Sequence, residues 1–417
     1  MFKNHDGLIE KIRDRFHHVE SCPYQGPRIF FENAGGALTL KSVVTRSAEL
    51  AAIPDNQGRD NPASHELDRL IDQARADIRI FFGAAKGPVF VGESGTELLF
   101  RLISTAALEA PPGGTVVGST LEHPASVGAC ERWAKVAGRD FVQAPHNSET
   151  GSVTAEDYRP FVTPETRVAT IVHTSPVTGM AVDVGGIAKS IREISPDCFI
   201  IVDGIQHAAH GGLDIDSYGI DGYVISPYKV FSRHGYGVAW VSERLGSLPH
   251  NRLTGAAADQ WDLGTRDTAS YATFSDVVDY FDWLGSHFTS STERRQRVEA
   301  AGTAIRQQEK DLTDAMLYGI GGQDGLAAMS TVTVIGGIEN PLREGLVSLA
   351  VEGLTAVDVV SALREKGIRV HARKDDHYSG NILTPLKMKD CVRVSMCHYN
   401  TEEEVARFLE AMHEIAG

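Results

Sequence analysis

Ile200-Ile201-Val202-Asp203-Gly204-Ile205-Gln206-His207, followed downstream by Ser226-Pro227-Tyr228-Lys229, is the stretch whose reading decides the fold. The apolar run from Phe199 to Val202 breaks at a carboxylate, as a buried strand does when it reaches the edge of a sheet. The next run, Gly222-Tyr223-Val224-Ile225, breaks at Ser226 and leads into a lysine. In an open parallel sheet the carboxyl ends of neighbouring strands face one crevice, where ligands bind. Asp203 and Lys229 are therefore expected on one rim.

Working outward on the N-terminal side, strand, polar turn and helix recur. Val89-Phe90-Val91-Gly92 runs through Glu93-Ser94-Gly95-Thr96-Glu97 into a helix over 98–108. Free N–H groups and the dipole at that helix start suit a phosphate, although Ser-Gly-Thr-Glu is equally an ordinary helix cap. Thr115 to Thr120 leads through Leu121-Glu122-His123-Pro124 into a helix over 125–136. His123 thus falls on the same rim as Asp203; a histidine there is also read as a plain polar residue. Val168 to His173 leads into Thr174-Ser175-Pro176-Val177-Thr178-Gly179, and Ile187, Ile191 and Ile194 mark a further helix. Alternating strands and helices predict right-handed βαβ units and a mostly parallel α/β sheet.

Upstream, residues 1–28 carry a short helical pattern and a Pro/Gly turn, and Ile29-Phe30-Phe31-Glu32-Asn33-Ala34-Gly35-Gly36 reads as a short strand ending in small residues. A helical pattern covers 64–82. Downstream of Lys229 come a strand over 235–241, a long loop holding Gly264-Thr265-Arg266, and a helical stretch over 274–312. The grammar then changes: strands at 331–334, 346–351, 368–371 and 391–395, a helix over 356–366, and a last helix opened by the capping box Thr401/Glu404. The expected organisation is an N-terminal segment (1–28), a large domain (29–289) and a smaller α+β domain (290–417).

Composition narrows the function classes. The chain has 417 residues, 42% hydrophobic and 23% charged, with a net charge of −15. So acidic a protein is disfavoured as a binder of nucleic acid or of an anionic membrane surface. There is no secretory h-region and no apolar run of membrane-spanning length. Five cysteines without a C-x-x-C pair fit a reducing, cytoplasmic setting with no disulfide frame and no metal site. No G-x-G-x-x-G follows the first strand, which argues against a nicotinamide-binding enzyme.

An acid and an amine on one sheet rim are what a pyridoxal phosphate enzyme needs, the lysine to form the Schiff base and the acid to keep the pyridine nitrogen protonated. With these ordered motifs in view, the sequence resembles the class V aminotransferases, a fold-type-I pyridoxal 5'-phosphate family that includes the cysteine desulfurases. It is most similar to the desulfurase-like branch with Ser-x-Tyr-Lys around the lysine. The resemblance implies that Lys229 binds the cofactor, Asp203 pairs with the pyridine nitrogen, Gln206 faces the ring hydroxyl and His123 stacks on the ring. It implies a phosphate held by Gly95, Thr96, Ser226 and Tyr228, with Thr265 reaching the phosphate of the other subunit of a homodimer. Arg393 would take the carboxylate of a small amino-acid substrate, and Asn33 would line the pocket.

Two departures bear on the reaction. The family often has Asn in a Ser-Asn-x-x-Gly turn; here the turn is Ser175-Pro176-Val177-Thr178-Gly179, which leaves that role to Thr178 or Gln206. Desulfurases carry a cysteine on a mobile loop, whereas the comparable loop here, His377-Tyr378-Ser379-Gly380-Asn381, has none, and Cys391 and Cys397 flank Arg393 on an expected buried strand. The expected activity is amino-group transfer or β-elimination (C–S lyase) on a small α-amino acid. The alternatives are a persulfide-forming desulfurase and a catalytically silent binding module.

Overall fold

In the computed structural model, which describes Phe2 and residues 5–417, seven strands form the central sheet. They are β1 (Val89–Gly92), β2 (Thr115–Ser119), β3 (Asp140–Ala144), β4 (Thr166–Val172), β5 (Phe199–Asp203), β6 (Gly222–Ile225) and β7 (Gly237–Val241). The order across the sheet is β1-β7-β6-β5-β4-β2-β3. All strands are parallel except β7, which runs against both of its neighbours.

Alternation along the strands explains why they read as unbroken apolar runs: both faces are covered. Phe199, Ile201 and Val224 pack with the helices α2 (Gly95–Glu109) and α3 (Pro124–Val136). Ile200, Val202, Tyr223 and Ile225 face the opposite layer, built from α1 (Pro62–Phe82), α4 (Val184–Ile194) and α5 (Thr268–Gly285). The helix starts are capped by side chains: Asn61, Ser94, His123 and Asp183 each accept from a backbone N–H of the first turn.

The expected helical stretch over 274–312 is two helices. The first, α5, begins earlier, on an Asp267 cap, and ends at Gly285; the second, α6 (Arg294–Tyr318), packs back against it. The two helices approach most closely at Gly285, where a Cβ would stand 1.8 Å from the carbonyl oxygen of Arg297.

The C-terminal layer is an antiparallel sheet of β8 (Val332–Val334), β9 (Leu346–Val351), β10 (His371–Lys374) and β11 (Asp390–Ser395), in the order β8-β9-β11-β10. The expected single strand over 368–371 divides at Val370. Ile368–Arg369 pairs in parallel with Ile29–Phe30, so the N-terminal strand joins this layer rather than the central sheet. Val347, Leu349, Val392 and Val394 form a second core with α7 (Ala356–Glu365) and α8 (Glu402–Ala416). The capping box at Thr401/Glu404 is present in both directions.

The strands that bear Asp203 and Lys229 are pinned together by Asp221. This 2%-exposed carboxylate accepts from Arg192, Arg244, Ser242 and the backbone N–H of Ile200 at 2.7–3.0 Å. Removing the acid strands two arginines and an amide at the start of β5. Asp221→Ala is expected to lower the unfolding free energy by about 3 kcal/mol, read by chemical denaturation; a loss under about 0.5 kcal/mol, as at an ordinary surface site, would contradict this role.

Candidate active site

The carboxyl ends of β4, β5 and β6 lie level, with Val172, Asp203 and Val224 in register. Beyond them a small cavity opens at the sheet rim, where open α/β sheets bind their ligands. Seven residues singled out from the sequence line it: Thr96, His123, Asp203, Gln206, Ser226, Tyr228 and Lys229. Val172, Thr174, Pro176 and Ile205 complete its wall and were not singled out.

Each side chain is delivered by a local device. A 3₁₀ turn over Pro227–Lys229, closed by Lys229 N–H donating to the Ser226 carbonyl at 2.9 Å, turns the lysine into the cavity. The chain is then held by Phe231, a non-glycine residue at φ 65°, fully buried against Phe16, Tyr280 and His398. Such left-handed strain persists only where packing fixes it, and it collects at functional sites. Tyr228 stacks on His234 with ring centroids 4.2 Å apart. On α2, Ser94 takes the N–H groups of Glu97 and Leu98, which leaves those of Gly95 and Thr96 without a helical partner. Gly95 must be glycine, because a Cβ there would lie 2.4 Å from the Ser226 hydroxyl. The helix start and the Ser226 turn therefore meet closely, forming a cradle lined by free N–H groups.

Electrostatics distinguish the two central groups. Asp203 is 4% exposed, and burial pushes its carboxyl up to about 6, against the pull of the Ile205 N–H (3.0 Å) and of the Lys229 charge. Burial pushes the Lys229 amine down to about 7; Arg393 and Arg373 add to this and Asp203 opposes it. His123 accepts from Ala125 N–H through Nδ1 at 3.1 Å, and burial with two neighbouring cations holds its ring neutral, down to about 4.

Lys229 Nζ donates to Gln206 Oε1 at 3.2 Å. Behind Gln206, its amide nitrogen lies 3.3 Å from His210 Nε2, and His210 Nδ1 lies 2.8 Å from Glu309 on α6. A buried polar chain therefore links the lysine to the helix that joins the two layers. The signal for it was present but unread: His210 follows Gln206 by one helical turn.

Besides Gly95 in the helix start, three singled-out residues lie outside the cavity wall. Arg393 is 4% exposed and donates to the carbonyl of Pro176 at 3.0 Å, its Nε is without a partner, and no carboxylate pairs with it among the described residues. Glu32, whose charge it feels, is taken by Arg369 and His371. Asn33 is committed to the protein, bonded to Tyr399, Asn400 and the carbonyl of Ser395, so it braces the end of β11. Thr265 is exposed on its loop, which Arg266 ties to Glu93 beside the cradle. Thr178 is also turned away, its hydroxyl given to Gly151, which leaves Gln206 as the candidate for the ring oxygen. Cys391 and Cys397 are buried, with thiols pushed up to about 11 and well above the usual range respectively.

The Lys229 amine gains its neutral, nucleophilic form as pH rises through about 7 rather than through its ordinary 10.5. Labelling of Lys229 by an amine reagent, followed by peptide mass spectrometry on cofactor-free protein, is expected to rise across that lower window. Arg393→Gln should move the rise to higher pH. A wild-type profile rising only near 10 would contradict the burial argument.

Comparison with known proteins agrees with this geometry. The family described as Aminotransferase class-V matches residues 29–408. The chain is 26% identical to an aminotransferase-like protein, FGM3, of Gibberella zeae, over 98% of both chains. It is 23% identical to a probable cysteine desulfurase of Xylella fastidiosa, covering 97% of this chain and 95% of that one. Among solved structures it is similar to an apo cysteine desulfurase of Thermococcus onnurineus (TM-score 0.81, 20% identity, 98% of each chain) and to the desulfurase CsdA of Escherichia coli (TM-score 0.77, 20% identity, 97% and 98%). The chain belongs to the class V aminotransferase family, the fold-type-I pyridoxal phosphate-dependent enzymes.

Proposed function

We propose that the cavity holds pyridoxal 5'-phosphate and that the protein acts on a small α-amino acid, by amino-group transfer or β-elimination. The observation that carries this reading is a lysine with its amine pushed down to about 7, lining one cavity with a buried acid. The residues fit the group. Gly95 and Thr96 N–H, with Ser226 and Tyr228, would take its phosphate; Asp203 its ring nitrogen; Gln206 its ring oxygen; and the neutral His123 its face. Bound there, pyridoxal phosphate supplies an electron sink that makes the substrate's Cα–H acidic.

The remaining work falls to this chain's own groups. Arg393, buried without an acidic partner, would fix the substrate carboxylate by a bidentate, charge-assisted contact. Lys229, poised near neutrality, would take the Cα proton and return it. Asp203, held ionised by the positive charge opposite it, would keep that charge in place. Thr265 would complete the phosphate site of a second subunit, which supports a homodimer. Burial of Cys391 and Cys397, and the lack of a thiol on the loop over 375–389, disfavour persulfide formation.

Purified protein incubated with pyridoxal phosphate is expected to show a visible absorption band that survives desalting, is absent in Lys229→Ala and shifts on adding amino acids. Persistence of the band in Lys229→Ala, or its absence from the wild type, would overturn the reading. Assays for keto acid, pyruvate and sulfide then separate transfer from elimination.

A further inference from the structure

We infer that Arg373 is a second anion-binding group of this site and that the substrate is an α-amino acid with an anionic side chain. The inference rests on the proposed function and names its substrate class.

The argument begins with sheet register. His371 pairs with Arg393, Arg373 with Cys391, and Arg393 with Ser348. Directly opposed residues share a face, and side chains alternate along each strand. His371, Arg373, Cys391, Arg393 and Ser348 therefore lie on one face, while Ala372, Val392 and Val394 occupy the other and pack into the C-terminal core. The polar face is turned toward the rim of the central sheet. Arg393 reaches the carbonyl of Pro176, which lines the cavity, and Ser348 donates to the carbonyl of Val177 at 2.5 Å.

Two guanidinium groups thus share the face of the C-terminal sheet that is turned toward this rim. Among the described residues neither has a carboxylate within ion-pairing distance. Arg373 donates once, to the Tyr378 carbonyl at 3.2 Å, and its Nε is buried without a partner. Of the acids on the adjoining loop, Asp375 accepts from the Thr384 hydroxyl and Asp376 from the N–H of Tyr378; Asp376 acts on Arg373 only through space, without an ion-pair contact. Tyr378 links Arg373 to the cavity: its ring centroid is 5.9 Å from the Arg373 guanidinium carbon and 6.1 Å from the His123 ring. The Arg373 charge is felt at both Lys229 and His123, each of which it pulls down.

Partly buried like charges without counter-ions are costly, and a bound anion relieves the cost. The α-carboxylate on Arg393 satisfies one guanidinium and leaves the other. A neutral side chain such as that of alanine leaves Arg373 uncompensated, whereas a side-chain carboxylate or sulfinate pairs with it.

The test has two readouts, both separate from turnover. On the cofactor-loaded protein, spectral titration compares L-aspartate, L-glutamate and L-cysteine sulfinate with L-alanine. By calorimetry, maleate, a dicarboxylate without an amino group, is compared with propionate. The wild type is expected to bind an acidic amino acid at least about tenfold more tightly than alanine, the scale of one charge-assisted contact. Arg373→Gln should abolish that preference and the maleate advantage, with a much smaller effect on alanine than on the acidic ligands. Arg373→Lys should keep part of both, and Arg393→Gln should weaken acidic and neutral ligands alike. The carboxylate and sulfinate arms show which anion is taken. Equal affinity of wild type for acidic and neutral ligands, or a uniform loss in Arg373→Gln with an unchanged thermal midpoint, would overturn the assignment. A wild type that takes up no cofactor counts against the proposed function, and the maleate arm then still decides the role of Arg373.

Discussion

The site depends on removing one amine from water. Lys229 sits where two strand ends and a 3₁₀ turn close around it, and the desolvation cost appears as an amine pushed down to about 7. Between that value and its ordinary 10.5 the unfolded chain holds a proton that the folded chain does not, so this group makes the fold more stable as pH rises across the window. Asp203 is the counterweight. Its negative charge draws the lysine back toward the charged state, and the lysine in turn helps to keep the acid ionised. The pair is a compromise between burial, which both groups oppose, and mutual attraction, which stabilises both.

Around that pair, the two layers of the molecule contribute different chemistry. The central sheet brings the start of α2, the acid and the lysine together at the carboxyl ends of its strands, where open α/β sheets bind ligands. The C-terminal sheet supplies positive charge from its polar face, with its apolar face locked into a separate core. Several contacts between the layers lie at or beside the site: Arg393 to Pro176, Ser348 to Val177, and His210 on the central layer to Glu309 on the joining helix. A shift of one layer against the other therefore changes both substrate anchoring and the polar chain that ends on Lys229.

The sequence made legible whatever repeats a simple period or breaks one sharply. Strand β5 announces itself by four apolar residues ending in Asp203, and the cradle by Ser94-Gly95-Thr96 after β1; both stand where the pattern placed them. What escaped were features fixed by partners distant in sequence. Val370 does not look like a break between strands, yet Ile368–Arg369 is claimed by Ile29–Phe30 and His371–Lys374 by β11. Asn33 reads as a pocket residue, but Ser395, Tyr399 and Asn400 exhaust its amide. Arg373 carries no motif of its own; only the register that sets it beside Cys391 shows which way it faces. The helical pattern over 274–312 hides the turn between α5 and α6, because the need for glycine at 285 is set by Arg297, a residue of the next helix.

The central claim is that the amine of Lys229 and the carboxylate of Asp203 grip opposite parts of one cofactor ring. Borohydride reduction of the protein after incubation with pyridoxal phosphate, with peptide mapping of the pyridoxyl group, tests this most directly. The account predicts a single adduct on Lys229, diminished in Asp203→Asn. Label spread over outlying lysines such as Lys41 and Lys135, with Lys229 unmodified, would contradict it.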